Sequence, residues 1–338
     1  MGVFVLGGVI LNCGGDGPTE RTPTPSGEGY VWAAMSNAAA ARWIMKVDVG
    51  TGEIHRIGVD GFDYGEWVVG IPVVEETGEF FLHKPYFFLA RYDAEGDFVW
   101  REGETPYNWR DYSSIGYYAD GNFIWGLEDK GWFEKRNGDD GSLISFKEIP
   151  ELSGFRNPSI QVDQRDGSVW ACSDDYLVKL SSGGVRLFSE QFNSARRTIL
   201  KLALETATGN LWVMVEEKVP VEKFKLIKYS PTGTKLFTRD AFLQQRPTGM
   251  AVDPYTDELW LGYPNGVVVH KKNGEFGRSV PNFNYIRAFA FTDTKFIMGG
   301  GEEERSYCLY GTNKETGQEL WSIKGQSWPI TYVSYVEK

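Results

Sequence analysis

Apolar and polar residues alternate along this chain in short runs broken by turn-forming clusters, and the pattern returns about every 44 residues. It is clearest in "VDQRDGSVWACS…YLVKLSSGGVRLF" from Val162, "ALETATGNLWVMV…KLIKYSPTGTKLF" from Ala203 and "AVDPYTDELWLGY…VVVHKKNGEF" from Ala251. Each copy reads as a turn, an aromatic-rich strand, a second apolar strand, a Gly-bearing turn and a third strand. The Gly of that second turn falls at Gly52, Gly96, Gly141, Gly183, Gly233, Gly274 and Gly317, at intervals of 44, 45, 42, 50, 41 and 43. The aromatic of the first strand falls at Trp32, Phe81, Trp125, Trp170, Trp212, Trp260 and Phe296. Two independent series thus agree on seven units. Apolar spacing of three and four is not sustained anywhere over a useful helix length, so helical repeats are excluded.

Seven units of several short strands predict an all-β, seven-bladed β-propeller over residues 29–338. The first unit begins at "GEGYVWAAM" without the strand that should precede it, while "PITYVSYVEK" follows a complete last unit. That tail alternates Ile330, Tyr332, Ser334 and Val336 against Thr331, Val333 and Tyr335. It is expected to be the innermost strand of blade one, closing the ring and pairing two otherwise open sheet edges.

Composition adjusts the picture in two places. The chain is 41% apolar and 15% aromatic with 12 Trp, which suits cores between wedge-shaped blades, so most of the Trp are expected inside. The net charge of -11 argues against general nucleic-acid binding, which needs a basic footprint.

Residues 1–13 are a separate element. The run "VFVLGGVIL" ends at Asn12 and Cys13, and residues 14–28 form a Gly, Pro and Thr tract. Nine apolar residues are too few to span a bilayer, which takes about 20, but they suit the apolar core of a secretory signal. A Cys directly after such a run, followed by a flexible linker, resembles a bacterial lipoprotein signal whose Cys carries the lipid. The expectation is an extracytoplasmic protein, lipid-anchored through Cys13 to a bacterial membrane or cell surface. A secreted or periplasmic form, or a cytosolic protein with an apolar N-terminus, stays open. Cys172 and Cys308 fall on distant blades, read as small buried apolar residues, and cannot meet in a disulfide.

In a propeller the blade-to-blade linkers and the loops between second and third strands share the top face. Variable loops on a rigid scaffold are the usual seat of binding. Five linkers carry an arginine just before an inner strand: Arg110, Arg156, Arg197, Arg246 and Arg287. Aromatics lie near them in sequence, among them Trp67, Trp109, Tyr285 and Trp328. One reading is a basic, aromatic-walled cup at the channel mouth that takes a carboxylate, a phosphate or an acidic sugar on guanidinium forks. The other, and weightier, reading is a charge belt. Glu128, Asp129, Asp174, Asp175, Glu216, Glu217 and Glu302–Glu304 sit on the same face, and Arg–carboxylate pairs between neighbouring blades would satisfy both sets. A divalent cation held by those acids is the least favoured, since pairs on separate blades need not converge.

Catalytic constellations are thin. His55 is placed on an outer strand and His270 on a middle strand, as surface or packing residues, with His83 as an exposed loop residue near the top of blade two. The stretch "FTDTKFIMGGGEEE" is Gly-rich but lacks the lysine and helix of a phosphate loop. No catalytic residue, metal ligand or cofactor is assigned.

The blade motif "VDxxxGxxWxx…LxKxxxxG" resembles, over about residues 27–338, the NHL-repeat and streptogramin-lyase-like propellers of bacteria. Those lyases are metal-dependent and use His at the ring centre, where only His83 could approach here. The sugar-lactonase-like propellers it also resembles hold a divalent metal on acidic and Asn ligands, and Asn157 and Asn284 stand on suitable linkers. The expected function is a non-catalytic, monomeric binding module for a partner protein, glycan or small anion at the top face, meeting the membrane only through its anchor and binding no nucleic acid. The alternative is a metal-dependent lyase or lactonase-like hydrolase that uses the central channel.

Overall fold

The computed structural model describes residues 29–35, 43–58, 70–74, 76–84, 88–102, 112–128, 130–153, 159–192, 196–218, 222–243, 245–302, 306–325 and 330–336. These residues form a seven-bladed β-propeller with no helix among them. Six blades are four-stranded antiparallel sheets. Among the described residues blade two has three strands, Phe80–Lys84, Phe88–Tyr92 and Phe98–Glu102, and an isolated bridge between Val73 and Phe80 marks its inner edge.

The C-terminal strand Ile330–Val336 is the inner strand of blade one, as the alternating tail predicts. It pairs antiparallel with Tyr30–Met35, with Trp32 opposite Ser334. The other inner strands are Tyr112–Tyr118, Ser159–Val162, Arg197–Leu204, Gly249–Val252 and Ile286–Phe291, in blades three to seven.

Period-two alternation sends each strand's side chains to two different neighbours. In blade one, Tyr30, Trp32 and Ala34 pack on Ile71, Phe80 and Leu82 of blade two. Val31, Ala33, Met45 and Val47 pack on Ile297, Leu309 and Ile323 of blade seven. The apolar core is seven such clusters, one at each interface between neighbouring blades, so the ring is closed by packing as well as by hydrogen bonds. The outer strands are largely exposed, as in Lys235–Asp240.

The seven first-strand aromatics are all buried in these interfaces. Opposite five of them, on the third strand, stands a cation: Lys46 across from Trp32, Arg91 from Phe81, Lys135 from Trp125, Lys179 from Trp170 and Lys228 from Trp212. Each cation lies over its ring and donates to a backbone carbonyl in a bottom turn of the next blade. The acceptors are Ala94 at 2.7 Å, Gly138 at 2.8 Å, Ser182 at 2.9 Å, Pro231 at 2.8 Å and Lys272 at 2.9 Å. Blade six has Val269 at this position, and Arg278 from the outer strand reaches over Trp260 in its place, 5.2 Å from the ring. The last junction uses Trp321, whose Nε1 donates to the Val49 carbonyl of blade one at 3.0 Å. The repeated Trp and Lys therefore form a clasp that joins blade to blade along the bottom face.

The Gly-turn series holds with one shift. The left-handed residue in blade four is Gly184, at φ 76°, and not Gly183. His83 is also corrected. It lies on the strand Phe80–Lys84 and is fully buried, so it is neither a loop residue nor open to the channel mouth.

Candidate functional site

The bottom of the ring is rich in paired groups. Buried acids close the inner strands of blades four, five and six there, and Glu205 is the fullest example. It accepts from Trp212 Nε1 at 2.8 Å, Asn210 Nδ2 at 2.8 Å and Thr208 Oγ1 at 2.6 Å, and it is ion-paired with Lys228. Burial alone would raise its carboxyl, but hydrogen bonds from Lys228, Thr208, Asn210 and Trp212 outweigh that and hold it below the ordinary carboxylate range. Asp163 with Arg165, and Asp253 with Lys314, repeat the arrangement at neighbouring junctions.

The top face differs. Arg197 opens the inner strand of blade five and is exposed, with Nη2 2.7 Å from Glu217 Oε1. Glu217 also takes Lys225 at 2.8 Å. Register explains the pair, because Arg197 and Glu217 face each other across one sheet. The contact is thus made inside blade five and not between blades.

Arg246 and Arg287 have no carboxylate or other hydrogen-bond partner among the described residues. Arg246 is exposed in the linker three residues before the inner strand of blade six. Arg287 is the bulged residue of the blade-seven inner strand, where the register slips between Ile286 and Ala288. Its Nε is buried with no acceptor, and an unsatisfied buried donor costs about 1–3 kcal/mol.

Close backbone packing holds the segment before Arg287 in place. Tyr285 adopts φ 47°, an uncommon conformation for a bulky residue. A side chain at Gly249 or Gly262 of blade six would collide with the Ile286 and Arg287 carbonyls, and one at Gly300 with those of Asn284 and Tyr285. This accounts for part of the Gly-rich run in blade seven, which lies on the strand Lys295–Glu302. Thr248 Oγ1 donates to the same Ile286 carbonyl at 2.5 Å.

Lys201 completes the group, and the sequence reading did not single it out. It lies on the inner strand of blade five just past a bulge at Leu200, opposite Met214. It is partly buried and, like the two arginines, has no hydrogen-bond or ion-pair partner among the described residues. Burial lowers its pKa, the Arg287 and Arg246 charges lower it further, and the Cys172 thiol opposes them weakly. The inner strands of blades five, six and seven are consecutive neighbours, so the three cations come from three adjacent staves at the channel mouth. Position two before the residue facing the first-strand aromatic is Ser159 in blade four, Lys201 in blade five and Gly249 in blade six. The residues flanking the lysine are therefore small.

Beside this group a cavity of about 450 Å³ opens between blades five and six, lined by Glu222, Phe224, Gln245, Arg246, Pro264 and Asn265. Its size is in the range of small-molecule sites, and Arg246 is common to the cavity and the cation group.

Arg110, Arg156, Trp67, Trp109, Trp328 and Asn157 lie outside the described residues, as do Cys13 and the segments 1–13 and 14–28. Among the described residues no cluster of three or more His, Cys, Asp or Glu is placed to hold a metal ion. His55 is on the outer strand of blade one and His270 is buried on the third strand of blade six, as expected. Cys172 and Cys308 are buried and unpaired, and burial pushes the Cys172 thiol up to about 12.

No family model matches the chain, and no curated protein matches it.

Proposed function

We propose that this protein is a binding module whose top face takes an anionic small molecule or the acidic group of a glycan. The observation that carries the reading is the group of Lys201, Arg246 and Arg287: three cations of adjacent blades, no carboxylate partner for any of them among the described residues, and a buried guanidinium nitrogen without an acceptor. Like charges held together in a part-buried concavity repel one another and attract an anion. Guanidinium forks match carboxylate and phosphate geometry, and the adjoining cavity has room for the rest of the ligand.

The blade motif supports kinship with the NHL-repeat propellers. The apolar segment before Cys13 supports a position outside the cytoplasm, with a lipid on Cys13 as the anchor. A Cys13→Ser variant is then expected to lose lipid labelling and detergent-phase partitioning, and equal labelling of both forms would remove the anchor.

The binding test is calorimetry against carboxylates, sugar acids and phosphates at low and high salt. A binder should weaken as salt rises. Arg246→Ala should weaken it by about 1.5–3 kcal/mol, the worth of a charge-assisted bond, with no loss of melting temperature. No binder in the panel, together with a clear loss of stability in Arg246→Ala, would overturn the reading and leave Arg246 as a structural residue.

A further inference from the structure

The cavity between blades five and six is walled by three segments that meet at the top face. Glu222 stands just before the third strand of blade five, Lys223–Tyr229, and Phe224 is the second residue of that strand. Gln245 and Arg246 come from the linker to blade six, and Pro264 and Asn265 from the turn between its second and third strands. Backbone hydrogen bonds hold the segments in place. The Ala241 N–H donates to the Phe224 carbonyl at 2.8 Å, that of Thr248 to the Gly262 carbonyl at 2.8 Å, and that of Tyr285 to the Pro264 carbonyl at 3.2 Å. Phe224 is buried and gives the cavity an apolar wall. The four polar side chains of the lining, Glu222, Gln245, Arg246 and Asn265, are exposed, and none has a hydrogen-bond or ion-pair partner among the described residues. One carboxylate and one guanidinium thus line the same cavity without pairing with each other.

A plain anion meets only half of this lining. On Arg246 it enters a cavity that also holds the Glu222 carboxylate, and like charges in one concavity repel. A ligand that carries an ammonium beside its carboxylate makes a charge-assisted contact with each. We propose that the cavity takes a zwitterion with the chemistry of an amino acid or a short peptide, its carboxylate on Arg246 and its ammonium on Glu222. Phe224 and Pro264 offer apolar surface to the ligand's carbon atoms, and the Gln245 and Asn265 amides can donate to or accept from its remaining polar atoms. The carboxylate half of this assignment rests on the anion-site reading above, and the ammonium half rests on Glu222.

The test is calorimetric titration of the full chain at neutral pH with matched ligands. L-Alanine and L-lactate differ in an ammonium against a hydroxyl. Alanyl-alanine sets the two charges further apart and separates a peptide ligand from a free amino acid. Alanine or the dipeptide should bind about tenfold more tightly than lactate, the worth of one charge-assisted contact. Glu222→Gln should erase that difference at unchanged melting temperature, because Glu222 is exposed and makes no contact that the change would break. Arg246→Gln should weaken lactate and the ammonium-bearing ligands together. Lactate binding as tightly as alanine and the dipeptide, or a preference that survives Glu222→Gln, overturns the zwitterion and leaves the anion site standing. If none of the three binds, the zwitterion falls, and the carboxylate and phosphate panel above decides the anion site separately.

Discussion

On the bottom face Lys46, Lys135, Lys179 and Lys228 each end on a carbonyl oxygen of the next blade and lie over a buried aromatic ring. At the top Lys201, Arg246 and Arg287 end on no protein oxygen among the described residues. Both sets are cations carried by blades of the same ring, and they differ in position and in surroundings. A buried cation that ends on a protein oxygen serves the fold. A group of cations left facing one another costs stability, and that cost is offset only when something outside the chain neutralises them. Substitutions in these two groups should therefore move stability in opposite directions.

Both faces depend on the closed ring, so removing residues 329–338 should have the largest effect. The deletion takes away the inner strand of blade one and exposes the Tyr30–Met35 edge together with Ala290, Ile297 and Leu309 of blade seven. Cooperative thermal unfolding should be lost or shifted far down. A truncated chain that melts like the parent would mean that the terminal strand does not close the ring.

Next is Glu205→Ala on the bottom face. It removes four hydrogen-bond or ion-pair contacts and strands Lys228, which is 7% exposed. Breaking a buried pair from one side costs about 3–5 kcal/mol. A fall smaller than 1 kcal/mol, on the order of an exposed pair, would show that the clasp does not bear on stability. The same carboxyl sets an acid limb. Its folded pKa lies below its unfolded value, so its contribution is present above the ordinary carboxylate range and is lost as pH falls through the folded value. His270 adds to that limb from higher pH. Burial lowers its pKa, the unfolded chain binds the proton more readily, and stability declines as pH drops below 6.5. The Glu205→Gln variant should lose the carboxylate part of the acid limb and keep the histidine part.

The contrast between the faces also governs what could be read from the chain. The clasp is regular, so its Trp, Lys and Gly recur at one spacing, and their positions give the blade count and register. The one slip, Gly183 for Gly184, comes from two adjacent glycines that only the turn conformation separates. The top is built from departures from the repeat. Lys201 in "TILKLAL" looks like the bottom-face lysines, because a single lysine in an apolar strand carries no mark of which end of the sheet it occupies. By sequence Arg197 reads as a cation that pairs between blades or holds a ligand, yet the register places Glu217 directly across the same sheet. Arg287 reaches its place through a bulge, and one extra residue in a strand leaves no compositional trace.

Lys201→Met should stabilise the free protein. It removes a desolvated charge repelled by Arg246 and Arg287 and keeps an apolar stem of similar length. Relief of such functional strain typically gives about 0.5–2 kcal/mol. The sign also shows in pH. The folded pKa is lowered, so the unfolded chain binds more protons as pH approaches the ordinary lysine value of 10.5, and parent stability rises through that window. The variant should lack this rise. A variant less stable than the parent would mean that Lys201 is satisfied by the protein itself and does not belong with an open anion site.

The smallest expected effect belongs to Arg197→Ala, and it separates the members of the arginine series. Arg197 is a linker arginine like Arg246 by position, but its guanidinium is half exposed and already 2.7 Å from Glu217. An exposed pair contributes about 0–1 kcal/mol. Glu217 keeps Lys225 at 2.8 Å after the change, so no acid is stranded. Melting temperature should hardly move. Anion affinity should hardly move either, because the fork is occupied in the free protein and binding a ligand there would first require breaking its pair. If Arg197→Ala instead weakened anion binding as much as Arg246→Ala does, the site would extend across blade five to the outer rim of the mouth. The cation group would then hold four members, and the distinction between paired and unpaired arginines would not be what selects the ligand-bearing ones.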